Sequence, residues 1–253
     1  FDYDAFSVNV QDNTTTTDGA VTVTQGKLEG LSLTSPHFDG DNDFIALGEQ
    51  TGDLKLDDSN GAVCAWFKTD DGDGGDEYKR IFSKSDGGSA ANGYDLVLDS
   101  DQTNGSLNTY INGGQIINDA EPTGGFVNGR WYHVVWTWDD TNHDLYLDGV
   151  LLQTVASSVQ PPDVATEAAI GTWAETEAGR EFDGNIRDVR IYDYGFSADQ
   201  AASLYSGSYN ATPLHWWKLD EGTADTATVG GADLLVVGTS GALVHGYSQN
   251  GLA

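Results

Sequence analysis

The sequence predicts an all-β protein built from large antiparallel sheets, and three observations carry that reading. The first is FDGDNDFIALG (38–48), a strand entered through an acidic turn. The second is GRWYHVVWTWDDTNHDLYLDGVLL (129–152), two alternating strands around an Asp/Asn-rich turn and then a hairpin closing on Asp148-Gly149. Asp-Gly between alternating strands is a strong hairpin signal, because both central residues must take positive φ. The third is length: 253 residues suffice for one sandwich burying roughly 70% of its unfolded surface without disulfides.

The elements follow in order. Residues 19–35 (GAVTVTQGKLEGLSLTS) read as two strands around Gly26. Strands follow at 43–48, 62–69 and 80–84, and GYDLVLDS (93–100) pairs with SLNTYING (106–113) as a hairpin. Further strands fall at 131–138, 144–148, 150–155, 168–173 and 185–193. Alternation puts Tyr132, Val134, Trp136 and Trp138 on one face, and Trp131, His133, Val135 and Thr137 on the other. Large residues on both faces predict a strand covered on both sides. One short helix is expected over 197–207, with Ser197 as N-cap, Asp199 in the first turn and Gly207 as its stop. Cys64 is the single cysteine and sits in the apolar run AVCAWF (62–67), which predicts a buried, inert thiol and excludes a disulfide framework.

Forty acidic residues against eleven basic give a formal charge of −29. Such a field repels phosphate backbones and anionic membrane surfaces, so nucleic-acid binding is excluded as an expectation. Two positive readings remain open together: a surface adapted to high salt, which screens self-repulsion, and acids that ligate calcium. No apolar stretch approaches the roughly 20 residues of a membrane span, so no membrane insertion is expected. The chain opens at Phe1 without methionine, which predicts a processed chain or a portion of a longer protein.

An ordered set of phrases carries a resemblance: FDGDNDFIALG, AVCAWFKTDD, RIFSKSDGG, GRWYHVVWTWDD, LYLDGVLL, IGTW and FDGNIRDVRIYDYGFSADQAASLY. Over about residues 35–206 these resemble the laminin-G-like, concanavalin A-like jelly-roll family, in particular its bacterial, archaeal and phage branch. The resemblance implies a two-sheet antiparallel jelly-roll sandwich with one short helix, occupying residues 1–212. Residues 213–253, beginning PLHWWKLDEG, look like the family's opening strands displaced to the end. They are expected either to complete this sandwich or to pack on a neighbouring module, since they are too few to bury Trp216, Trp217 and Leu234 alone.

The resemblance also implies a structural calcium, matching Asp188 with a carbonyl at or near Gly40; an ion pair of Asp188 with Arg190 or Arg187 is the alternative. The loop TDDGDGGDEY (69–78) offers Asp70, Asp71, Asp73 and Asp76 as further calcium ligands, because crowded carboxylates repel unless neutralised. DSDQTNG (99–105) places Asp99, Asp101 and Asn104 at alternate spacing, like the first half of an EF-hand loop without its closing Glu; turn geometry alone also accounts for it. Trp173, at a strand end before an acidic loop, is the expected exposed ring for sugar stacking.

No acid string of the glucanase kind, no alginate-lyase motif set and no GxSxG, HExxH or P-loop string occurs. The chain is therefore expected to be a non-catalytic, calcium-assisted adhesion module of an extracellular, cell or virion surface. Its partner would be a glycan or a surface protein, within a multi-module or oligomeric assembly. A purely structural decoration or turret module and a polysaccharide hydrolase or lyase are the alternatives.

Overall fold

A computed structural model describes residues 22–24, 27–29, 35–41, 43–50, 54, 56, 60–72, 78–85, 92–99, 105–162, 166–173, 180–208, 212–217 and 219. The chain divides into residues 1–32 and residues 33–253. In the first unit β1 (Thr22–Thr24) and β2 (Lys27–Glu29) pair antiparallel, with Val23 opposite Leu28.

The second unit opens with β3 (His37–Asp39), β4 (Ile45–Gln50), β5 (Gly61–Thr69), β6 (Tyr78–Ser85) and β7 (Gly93–Asp99). It continues with β8 (Ser106–Ile111), β9 (Gly114–Ala120), β10 (Trp131–Trp138), β11 (Asn142–Leu147) and β12 (Val150–Ala156). Then come β13 (Thr166–Ile170), β14 (Asp183–Tyr192), helix α1 (Ala198–Tyr205) and β15 (His215–Trp217). One sheet runs β12-β11-β10-β5-β14-β15, with β3 sharing the edge of β14; the other runs β4-β13-β6-β7-β8-β9. Every pairing is antiparallel.

β10 shows why the two sheets assemble. Its Tyr132, Val134 and Trp136, with Trp138, enter the main core beside Phe67, Phe82, Tyr94 and Ile186. On its other face Val135 joins Ala62, Cys64, Tyr146, Tyr192 and Phe196 in a second, smaller core capped by Ala201 and Leu204 of α1. Both faces of the strand are thus covered, as its alternation predicts, and burial pushes the Cys64 thiol up to about 12. The helix begins with a capping box: Ser197 Oγ accepts from the Gln200 N–H, and Gln200 Oε1 accepts from the Ser197 N–H.

Two strands escaped the sequence reading. The reading ran β8 through Gly113, but Asn112 (φ 52°) and Gly113 (φ 70°) form the positive-φ pair of a tight hairpin. The chain returns as β9, whose GQIINDA pattern is mostly exposed and carries little periodic signal. β3 is only three residues long, and its one buried side chain, Phe38, packs edge-on against Phe182.

β15 pairs with β14 from Val189 to Ile191. It buries Trp217 and the following Leu219 in the main core, with Trp217 against Phe82. Trp217→Ala should therefore destabilise the protein by about 3–5 kcal/mol in urea unfolding; an unchanged midpoint would mean that β15 is a dispensable tail.

Buried His143 accepts a hydrogen bond from Trp136 Nε1 at Nδ1 (3.3 Å) and donates from Nε2 to the Val159 carbonyl (2.8 Å). Burial lowers its pKa, against the opposing bond to Val159 and the nearby Asp139 and Asp144. The unfolded chain thus binds the proton more readily. The stability from neutral His143 is present above the ordinary histidine value of about 6.5 and is lost as pH falls through the lowered folded value. The urea midpoint should fall with acidification below pH about 6.5, and His143→Gln should flatten that fall.

Candidate functional site

The outward face of the six-stranded sheet gathers the polar and aromatic residues that strand alternation keeps out of the core. Register sets Ser83 beside Asp95, Asp95 beside Tyr110, and Tyr78 beside Asp99. Trp173, just after β13, donates from Nε1 to Ser85 Oγ at 3.2 Å and is half-buried. The Arg80 guanidinium lies 4.5 Å from its ring centroid and that of Arg180 5.9 Å. Arg180 also lies 5.1 Å from the Tyr78 ring, which meets Tyr110 edge-on at 6.4 Å. Beneath them Asp95 accepts from Ser83 Oγ at 2.5 Å, and Asp99 accepts from Asn108 Nδ2 at 2.8 Å.

Burial dominates the electrostatics of this cluster. Burial pulls the Arg80 pKa down and Arg180 adds to that, while Asp95 opposes it. Tyr110 is pushed up to about 12, first by burial and then by Tyr78. The Arg80 guanidinium near the ring and the hydrogen bond from Nε1 to Ser85 orient the Trp173 indole, which stays half-buried. Together the residues of this cluster are the donor, acceptor and stacking set a sugar ring takes.

A second cluster lies where β3, the end of β5 and the start of β14 meet. Ligand atoms of His37, Asp70 and Asp183 all lie within 4.8 Å of one another, with His37 Nε2 at 3.0 Å from Asp70 Oδ2. The Asp70 N–H donates to the Asp183 carbonyl, and Lys79 pairs with Asp71 at 3.2 Å. Gly40 (φ +78°) lies so close to Asp183 that a Cβ would sit 3.0 Å from the Asp183 Cβ. Burial raises the Asp183 pKa, and the neighbouring Asp70 and Asp71 add to the rise against Lys79 and His37. Two residues along the same face of β14, buried Asn185 has an Oδ1 with no hydrogen-bond partner among the described residues. The Asp70 and Asp183 carboxylates and the Asn185 amide oxygen are hard donors of the kind calcium takes, whereas the His37 nitrogen is a softer ligand.

The residues expected from the sequence divide between these clusters. Gly40, Asp70 and Asp71 come together, but around Asp183, a residue the sequence reading passed over. Asp188 stands apart from them and takes the alternative role, an ion pair with Arg190. It occupies a bulge of β14 at φ +54°, and its oxygens accept from Arg190 Nε (3.0 Å) and Nη2 (2.8 Å) and from Trp216 Nε1. Burial alone would lower the Arg190 pKa, but Asp188, Cys64 and Tyr192 together outweigh it and the guanidinium is raised. Asp99 is likewise not a loop ligand: it ends β7 as a buried side chain. Asp73, Asp76, Asp101 and Asn104 lie outside the described residues. Arg80, Arg180, Tyr78, Asp95 and Asn108 were missed; their one signal was the outward alternation Asp95-Val97-Asp99 on β7.

Two face-to-face antiparallel sheets with one short helix define a concanavalin A-like sandwich. The family model described as the concanavalin A-like lectin/glucanases superfamily, laminin G type 3, matches residues 39–202, and the chain belongs to that family. No curated protein sequence matches it. Among solved structures, the Trypanosoma rangeli sialidase in complex with difluorosialic acid is 16% identical with a TM-score of 0.51, over 69% of this chain and 27% of the sialidase. A candidate carbohydrate-binding protein from Bacteroides ovatus is 14% identical with a TM-score of 0.50, over 79% of this chain and 55% of that one. The sialyllactose-bound carbohydrate-binding module of a Ruminococcus gnavus sialidase is 13% identical with a TM-score of 0.48, over 64% and 96%. At these identities the likeness is one of fold.

Asp188→Asn should cost about 2 kcal/mol in urea unfolding, because Arg190 loses its charged partner. The loss should be the same with and without calcium; a calcium-dependent loss would return the metal to Asp188.

Proposed function

We propose that the protein is a non-catalytic glycan-binding module of an extracellular or virion surface, stabilised by calcium. The observation that carries this is the half-buried Trp173 ring at the outward face of the six-stranded sheet, with the Arg80 and Arg180 guanidiniums near it and Tyr78 and Tyr110 beside them. Such a face can stack a pyranose and hydrogen-bond its hydroxyls. The family and the fold shared with carbohydrate-binding proteins support the same reading.

Binding without turnover is supported by the state of the acids. Asp95 and Asp99 lie four residues apart on one strand, roughly 13 Å between Cα atoms, and each already accepts a hydrogen bond from an adjacent strand. Glycosidases need two carboxyls about 5–9.5 Å apart, one of them free to move a proton. The net charge of −29 favours a salt-rich setting and disfavours nucleic acid. A surface-protein ligand and a purely structural role remain as the outcomes of a negative glycan screen.

A glycan array probed in high salt with calcium should show selective binding that Trp173→Ala weakens about tenfold or more without shifting the thermal midpoint by more than a few degrees. Retained binding would remove Trp173 from the site, and an empty array would overturn the glycan reading.

Calcium is tested apart from the glycan. The raised Asp183 pKa makes its contribution favourable at low pH and lost as pH rises through the raised value. A bound cation reverses that loss. One millimolar calcium should raise the thermal midpoint at pH 7 by about 5 °C, and Asp183→Asn should remove the response. A response unchanged in Asp183→Asn would place the ion elsewhere.

A further inference from the structure

A cavity at the other end of the molecule has a chemistry unlike either cluster. Its volume is about 490 Å³, and it opens where the β10–β11 turn, the residue before β5, and the loop entering α1 converge. Asn60, Asp139, Asn142, Asp144, Tyr194 and Gln200 supply its polar and aromatic lining. Among the described residues no lysine or arginine lines it. A phosphate, sulfate or uronic carboxylate therefore finds no counter-charge there, and two carboxylates oppose it.

The lining is preorganised. Asp139 Oδ1 accepts from the Thr141 N–H (2.7 Å), Thr141 Oγ1 (2.6 Å) and the Asn142 N–H (2.8 Å). Those bonds, the Thr141 hydroxyl first, hold the carboxyl below the usual aspartate range. Among the described residues Oδ2 accepts no hydrogen bond and stays free for a ligand. Asp144 is steadied through Oδ1 by Thr154 Oγ1 at 2.6 Å. The half-buried Tyr194 ring is braced by Tyr192 and Phe196, each at 5.5 Å, and Gln200 is tied into the capping box of α1.

We infer that this cavity is a second binding site, for a neutral oligosaccharide, on the opposite sheet from Trp173. Rigid carboxylates accept hydrogen bonds from hydroxyls, the Asn60 amide donates and accepts, and the Tyr194 ring offers an apolar face to sugar C–H groups. The volume lies within the range of about 300–1,000 Å³ of small-ligand pockets and holds more than one hexose. The site makes no use of Trp173, Arg80 or Arg180, so it stands or falls apart from the proposed glycan face.

The test is two-dimensional amide NMR of the full chain, titrated separately with cellohexaose, xylohexaose, mannohexaose and laminarihexaose. At least one sugar should shift the signals of Asn142, Gly195 and Gln200 with a dissociation constant of order 1 mM, and Tyr194→Ala should weaken it about tenfold. Asp139→Asn keeps the Oδ1 acceptor that organises the turn and removes the charge. It should weaken binding several-fold while lowering the thermal midpoint by no more than a few degrees, which separates loss of the site from loss of the fold. Trp173→Ala should leave these shifts intact. No shift at these residues with any of the four sugars, or shifts confined to Trp173 and Arg80, would overturn the site. Shifts there with spermidine but with none of the sugars would also overturn it, making the cavity a cation pocket.

Discussion

The register of β10 is the constraint on which the remaining structure depends. Its residues alternate between two cores: Tyr132, Val134, Trp136 and Trp138 go to the sheet interface, and Val135 to the pocket under α1. A slip of one residue would exchange those sets and force three large rings into the smaller core under α1 at once. Pairing to β5 on one side, from Trp131–Lys68 to Trp138–Gly61, and to β11 on the other locks that register. Gly61 belongs to the same lock, since a Cβ there would come within 2.5 Å of the Trp138 ring. The sheet that carries the acidic cluster, the Asp188 ion pair and α1 is positioned by this one strand.

Charge is the second constraint, and the arginines show how it is handled. A chain of net charge −29 has carboxylates in excess everywhere, yet each of its five arginines lies over an aromatic ring. Arg80 faces Trp173, Arg130 faces Tyr132, Arg180 faces Tyr78, Arg187 faces Trp66 and Trp131, and Arg190 faces Trp216. The guanidinium is weakly hydrated and planar, so it stacks where an ammonium would stay in water. Arginine here orients tryptophan. Asp188 turns the same device into a clasp, holding Arg190 and Trp216 together and so tying β15 to β14.

Where periodicity and turn chemistry agreed, the fold was legible. The Asp148-Gly149 hairpin, the two faces of β10 and the Ser197 cap all rest on local rules that tertiary packing did not override. β9 failed because an exposed edge strand needs no alternation. The site was far less legible, for a physical reason. Asp99 read as a loop acid because strand ends and turns share residue types. Asp188 and Asp183 both belong to FDGNIRDVRIY, and only the bulge between Arg187 and Arg190 decides which points where. Arg80 and Arg180 lie a hundred positions apart, and nothing local announces that both will stack on Trp173.

β14 connects the parts. Its first residue, Asp183, lies in the acidic cluster, its bulge holds the clasp to β15, and its end leads into the loop and helix that line the cavity. A shared strand does not by itself couple sites, because coupling needs an element with two arrangements that each ligand biases differently. β14 is hydrogen-bonded to β5 along nearly its whole length and lies over a close-packed core, which makes a second arrangement costly. Calcium at the acidic cluster would then act by removing carboxylate repulsion locally, and the two proposed sugar sites would bind independently. Any gain from having both lies in linking them through one long glycan or a dense glycan surface, where the second contact is intramolecular and its strength is set by effective concentration.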